Sequence, residues 1–341
     1  MPKLCIHIPD CVWTKALLDT TVKVDGFDVT FEAALFDQRG SQRLRGDIEE
    51  KYAGTEQVIP DYLVRLAHGA EKELVALPIF VTRGMVHRKF VMRRDSLKPK
   101  DLKGRLIGMG RILGATSVYL RGLLADHFDI ARGDAHWVTA EPLTSDGAMG
   151  GEWAYTHQRG RIKASELIRR LSAGELDAVI YPGGAGGHWF NWIVEGGTSH
   201  TPDPYGDLEQ MVASSSNLCF PIGAVESHLA WFKEENFYPT YHFMAIRKSI
   251  AAAQRGLAAA LVEAFDRAAT RAPSYMTGEE QRLYDREKQL LGVDPNRCGL
   301  TALHMRTIEK CIDYLTADGL LPQRPAVAEI FPLSALILEG L

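Results

Sequence analysis

The feature that most constrains this chain is a strand that returns late. The apolar run RLIGM (105–109) leads into a glycine-bearing loop and then a helical stretch, YLRGLLADHF. Further on, ASELIRRLSAGELDAVIYP (164–182) reads as helix, turn and strand, with Leu167 and Leu171 on one helix face and Gly174 ending it. A last strand, HFMAI (242–246), comes long after and is followed by helical segments alone, beginning with AAAQRGLAAALVEAFDRAA. Strands alternating with helices predict α/β layers. The late return predicts a chain that leaves one domain, builds a second and comes back. The expected division is 1–99 plus 237–341 for the first lobe and 100–236 for the inserted one, and 341 residues suffice for both. Nearer the start, LCIHI (4–8) reads as a strand, and Gly26 between two strand-like pieces suggests a hairpin.

Composition then removes several classes of function. Lysine and arginine (39) nearly balance aspartate and glutamate (43), for a net charge of −4. Nucleic acid and anionic membrane both demand a basic surface, so neither partner is expected. No apolar run approaches the ~18 residues of a membrane span. The opening MPKLCIHIPDCVW has no continuous apolar core before Asp10 and makes a poor signal peptide. Five scattered cysteines without a CxxC fit reduced thiols, and the expected location is cytoplasmic.

The groups able to do chemistry sit at breaks between apolar segments. GMGRILGATS (108–117) places glycines, Arg111, Thr116 and Ser117 where a strand gives way to a helix. Backbone N–H groups and the helix dipole favour an anion there. The third glycine is one position late for a dinucleotide fingerprint, so a carboxylate is the expected ligand, against the alternative of a helix cap serving only the fold. PGGAGGHWF (182–190) brings His188 after a strand end, where open α/β sheets hold ligands and where loops are also simply mobile. LPIFVTRGMVHRKFVMRRD (77–95) holds Arg83 and His87 in a break between strands. A guanidinium pairs with carboxylates and an imidazole moves protons near neutral pH, although either residue could be a solvated turn. His242 could equally be a satisfied core histidine. No HxH, HExxH or clustered cysteine pattern suggests a metal, and no base stands beside Cys11 to make it a nucleophile.

Taken in order, these segments resemble the 4,5-dihydroxyphthalate decarboxylase family. LPIFVTRGMVH is similar to its L-P-V-F-x-x-R-x-x-x-H piece, and WTKALLD with DGFDV to T-x-A-L-L-D and E-G-I-D. GTEQVIPDY carries Glu56 and Tyr62 at the matching positions of A-E-x-S-x-x-x-Y, with Val58 in place of the serine. KGRLIGM, YLRGLLADHFDI, AGELDAVIYP, FYPTYHFMAI (with His242), GVDPNRCGL and DGLLPQRPAVAEIF continue the series to the C-terminal region. The loop MGRILGAT departs from the family's T-P-E-Y-Q-M-T, with Arg111 where an acid is expected.

The resemblance implies a two-lobed fold of the type II periplasmic-binding-protein kind, with a ligand cleft between α/β lobes. It implies non-oxidative loss of CO2, without an organic cofactor, from a hydroxylated, phthalate-like aromatic carboxylate, a lyase reaction of aromatic catabolism. On that view His87 or His242 moves the protons, and Glu56 meets the phenol or orients a histidine. Arg83 holds one carboxylate, and Arg111 with Thr116 and Ser117 holds the second. Tyr62 and His188 join the substrate-binding residues. The partner is a small aromatic carboxylate, and a homo-oligomer stays open. The rival readings are a solute-binding or a ligand-sensing protein of the same fold.

Overall fold

The computed structural model describes residues 3–34, 52–94, 98–139, 155–157, 164–182 and 208–333. Twelve strands among them form two sheets. The first contains β1 (Leu4–Pro9), β2 (Val29–Ala34), β3 (Gly54–Val58), β4 (Leu74–Ala76), β5 (Thr82–Arg83) and β12 (Thr240–Arg247), in the order β2-β1-β3-β12-β4 with β5 also on β12. β1 runs parallel to β2 and β3, whereas β12 is antiparallel to β3, β4 and β5. The second sheet has the order β11-β6-β10-β7-β8-β9. Its strands are β6 (Phe90–Arg93), β7 (Leu106–Met109), β8 (His136–Thr139), β9 (Tyr155–His157), β10 (Ala178–Ile180) and β11 (Leu218–Cys219).

The late strand goes back into the first sheet, as β12. One expectation changes. Gly26 does not make a hairpin: it is a left-handed turn residue (φ 77°), and the single strand after it, β2, pairs in parallel with β1. β6 is hydrogen-bonded to β10 and β11, so the chain changes sheets between Arg83 and Phe90. The return falls between Cys219 and Thr240.

The described helices are α1 (Lys15–Leu18), α2 (Ile59–Ala67), α3 (Ala115–Phe128), α4 (Ala164–Ser172), α5 (Leu208–Ala213), α6 (Val225–Glu235), α7 (Lys248–Ala253), α8 (Leu257–Arg271), α9 (Gly278–Leu291), α10 (Ala302–Ala317) and α11 (Val327–Ile330). α2 starts straight off β3, with Pro60 in its first turn where no N–H is needed, and turns Ile59, Tyr62 and Leu63 inward. α3 is buried at every residue from Ala115 to Leu124, because one core cluster draws on both sheets around it. Gly122 shows why a glycine survives mid-helix at a cost of ~1 kcal/mol against alanine. A Cβ there would stand 2.3 Å from the ring of Tyr314, so its absence lets α10 lie against α3. Arg121 of α3 and Asp318 close the same contact with a buried ion pair at 2.7 Å. Tyr119 of α3 donates to Thr240 O at 2.8 Å, which ties the helix to the returning strand.

Candidate active site

Register builds the site. β12 is flanked by β3 and β5, and His242 stands opposite Val58 on one side and Thr82 on the other. Side chains alternate along a strand, so Glu56, two residues before Val58, shares the face of His242 and lies diagonal to it. His242 Nδ1 is 3.1 Å from Glu56 Oε1, close enough for an ion pair though off the line of a straight hydrogen bond. The Thr82 hydroxyl donates to the same Oε1. Glu56 is 3% and His242 9% exposed, so the contact is shielded from water. A carboxylate facing Nδ1 favours the proton on that nitrogen, which leaves Nε2 for exchange with a ligand.

Cys11, which has no base adjoining it in sequence, feels the charge of Glu56. It follows the end of β1 in a turn held by Thr14, whose hydroxyl donates to Pro9 O at 2.5 Å and accepts from Cys11 N at 3.2 Å. Burial pushes the thiol up to about 11, partly offset by the Thr14 hydrogen bond, and the charge of Glu56 adds to the rise. Cys11 is thus a neutral thiol. The signal in the sequence was its place just past the carboxyl end of a parallel strand, where such sheets collect ligands.

The other expected residues lie elsewhere. Arg83, one step beyond Thr82, is 3% exposed and gives its guanidinium to Phe80 O and Pro295 O. Burial lowers its proton affinity, and Cys298, Tyr238, Asp294 and Glu287 work the other way. It holds two loops together rather than meeting Glu56 and His242. His87 also leaves the group. Its ring lies tilted against that of His228 (centroids 4.2 Å apart) and meets Trp231 edge-on at 5.0 Å. Burial, followed by the neighbouring His228 and His127, holds it well below the usual imidazole range, so it is neutral. Tyr62 is a core residue: its hydroxyl reaches Leu74 O at 3.4 Å and its ring meets Phe243 edge-on at 5.0 Å. His188 lies outside the described residues.

Arg111, Thr116 and Ser117 do gather at one place, between β7 and the first turn of α3. Arg111 Nη2 stands 3.7 Å from Asp61 Oδ1 in the first turn of α2, so this loop of the second sheet reaches the first. Ser117 Oγ turns back toward the helix start, 3.6 Å from where a Cβ on Gly114 would lie. Thr116 and Ser117 are buried beside the N-terminal amides. Among the described residues, no three His, Cys, Asp or Glu side chains cluster as a metal would require.

No family model matches the chain. It is 21% identical over 346 residues to the 4,5-dihydroxyphthalate decarboxylase of Comamonas testosteroni, an alignment covering 94% of each protein. The periplasmic sulfonate-binding protein SsuA of Methylobacillus flagellatus KT superimposes with a TM-score of 0.55 at 12% identity, over 100% of this chain and 96% of that one. The fold is that of the two-lobed periplasmic binding proteins. A mutant of DszB in complex with biphenyl-2-sulfinic acid matches with a TM-score of 0.50 at 16% identity over 99% of both chains. A fold hosts many functions, so function has to be argued from the site.

Chemically, the group offers an imidazole with a carboxylate behind it. The α3 start offers amides, hydroxyls and a guanidinium suited to an anion.

Proposed function

We propose that the chain catalyses the non-oxidative, cofactor-independent decarboxylation of a hydroxylated aromatic carboxylate of the 4,5-dihydroxyphthalate class. The observation that carries this reading is the juxtaposition of His242, Glu56 and Thr82 on three adjacent strands. The name of the C. testosteroni relative supports the substrate class. Losing CO2 from an aryl carbon leaves an electron pair there that must be taken up by a proton. A hydroxyl para to that carbon supplies the density: as its proton moves to His242 Nε2, the ring carbon becomes basic and takes a proton from solvent. The C–C bond to the carboxylate then breaks, its electrons rejoin the ring, CO2 leaves, and the phenolate takes its proton back from the His242 imidazolium. Net, one proton replaces one CO2, and no oxidant is needed. Glu56 orients His242 and stabilises its imidazolium. Arg111 and the first turn of α3 hold a carboxylate of the substrate from the second sheet's side.

On this reading the ligand lies between two lobes. Strand pairing supports assigning β6 to the second lobe, from about residue 86, with the first lobe resuming near Thr240. Five free cysteines support a reducing, cytoplasmic location. No helix of the described residues is long and apolar enough to cross a membrane. The rival reading, a solute-binding or sensing protein for an aromatic carboxylate, is favoured by the SsuA likeness in fold alone. Purified protein incubated with 4,5-dihydroxyphthalate separates the two: the enzyme releases CO2 in step with loss of substrate, whereas a binding protein saturates with ligand and leaves it intact.

A further inference from the structure

A second site lies at the far end of α3. From Thr116 to His127 the helix advances about 16 Å at ~1.5 Å per residue. There a cavity of about 220 Å³ opens between α3, α6 and the short helical turn at His87. None of Cys11, Glu56, Thr82 and His242 lines it. Its apolar walls are Leu123, Phe128, Ile222 and Ala230.

Two polar groups give it direction. His87 is 3% exposed, and its Nδ1 has no hydrogen-bond partner among the described residues. Trp231 is 1% exposed, and its Nε1 likewise has none. Both line the cavity. Buried polar atoms left unpaired are costly, so a site with two of them asks for a molecule that completes both. An indole N–H can only donate, whereas a neutral imidazole accepts at one ring nitrogen. A single hydroxyl meets both demands, accepting from Trp231 and donating to His87. Burial and the neighbouring His228 keep His87 neutral. On the cavity wall His127 faces Glu234 at 3.8 Å, and no lysine or arginine is among the described lining residues. A carboxylate would find no lysine or arginine to pair with here. For size, a dry apolar cavity of about 150 Å³ accepts benzene.

We propose that this cavity binds a neutral monocyclic phenol, its hydroxyl between His87 and Trp231 and its ring against Leu123, Phe128, Ile222 and Ala230. The proposal does not rest on the reaction assigned to the Glu56–His242 group, since the two sets of residues do not overlap.

Crystals of the full chain soaked separately in 4-bromophenol and 4-bromobenzoate would locate the ligand by anomalous scattering. The expected result is bromine in the cavity with the phenol and none there with the benzoate. Calorimetry with phenol and benzene adds the energetics. Phenol should bind about 10-fold tighter than benzene, the worth of two net hydrogen bonds at the low end of their range. His87→Phe should reduce that preference by about 3-fold, and Ala230→Phe, which fills the space, should remove phenol binding. Bromine from 4-bromobenzoate in the cavity, or no 4-bromophenol there at saturation, overturns the proposal. So does a phenol-to-benzene ratio that His87→Phe leaves unchanged. If His87→Phe does not fold, the soaks and the phenol-to-benzene ratio of the unmodified protein still decide.

Discussion

Replacing Glu56 by glutamine tests whether the carboxylate acts through His242. The amide keeps size and an oxygen for the Thr82 hydroxyl, so the fold should persist. What goes is the charge 3.1 Å from His242 Nδ1. At that distance an effective dielectric of ~20 gives an attraction to imidazolium of about 5 kcal/mol, which is a ceiling because water competes. A hydrogen bond to a charged partner nets ~1.5–3 kcal/mol. At ~1.36 kcal/mol per decade, Glu56→Gln should slow turnover by about 10- to 150-fold. His242→Asn removes the proton-transfer group itself and should cost about 10²–10⁴. Because Glu56 orients rather than reacts, the double variant should be no slower than His242→Asn alone. The assay is CO2 release from 4,5-dihydroxyphthalate under saturating substrate, with circular dichroism confirming that each variant is folded. If Glu56→Gln turns over like the unmodified protein, or if the two losses multiply, the carboxylate does not work through the histidine and the assignment fails.

Other consequences follow from the same geometry. Arg83→Ala should lower folding stability by ~2–4 kcal/mol, since two buried carbonyls lose their donor, and leave ligand affinity of the folded protein nearly unchanged; a large affinity loss with normal denaturant stability would restore Arg83 to the binding site. Gly54→Ala would set a Cβ 2.6 Å from Ala245 O, so it should push β3 off β12 and cost both ~1–3 kcal/mol of stability and turnover, read by urea unfolding and the CO2 assay. Thr277→Ala removes a cap that accepts from Glu280 N at 3.2 Å and should cost ~0.5–2 kcal/mol by the same unfolding measurement. Burial holds His228 down to about 3 and His304 to about 4, from 6.5 when unfolded. The unfolded chain therefore binds more protons below pH 6.5, and stability present above that pH is lost as pH falls toward 4, by up to ~1.4 kcal/mol per unit for each histidine. Urea midpoints that stay level from pH 7.5 to 5 would contradict this.

Much of the fold was written along the chain. The helical periods of YLRGLLADHF and ASELIRRLSAG, and the strand runs RLIGM, AVIY and HFMAI, are local patterns, and local backbone preference with one-sided burial is enough to set them. The order of those elements, with one strand far downstream, already implied a crossing and a return. The identity of Glu56 and His242 as candidates was legible too, by resemblance to segments of a known family. What the sequence could not state was company. Arg83 and His87 are four residues apart, yet one turns into carbonyls around Pro295 and the other into the rings of His228 and Trp231, because the chain changes sheets between Arg83 and Phe90. Glu56, Thr82 and His242 are far apart in the chain and touch only because β12 lies between β3 and β5. Cys11 feels the charge of Glu56 only because β1 pairs with β3. Strand partners are chosen by long-range burial, which no local spacing encodes, so the pairing that assembles the site belongs to the tertiary structure alone.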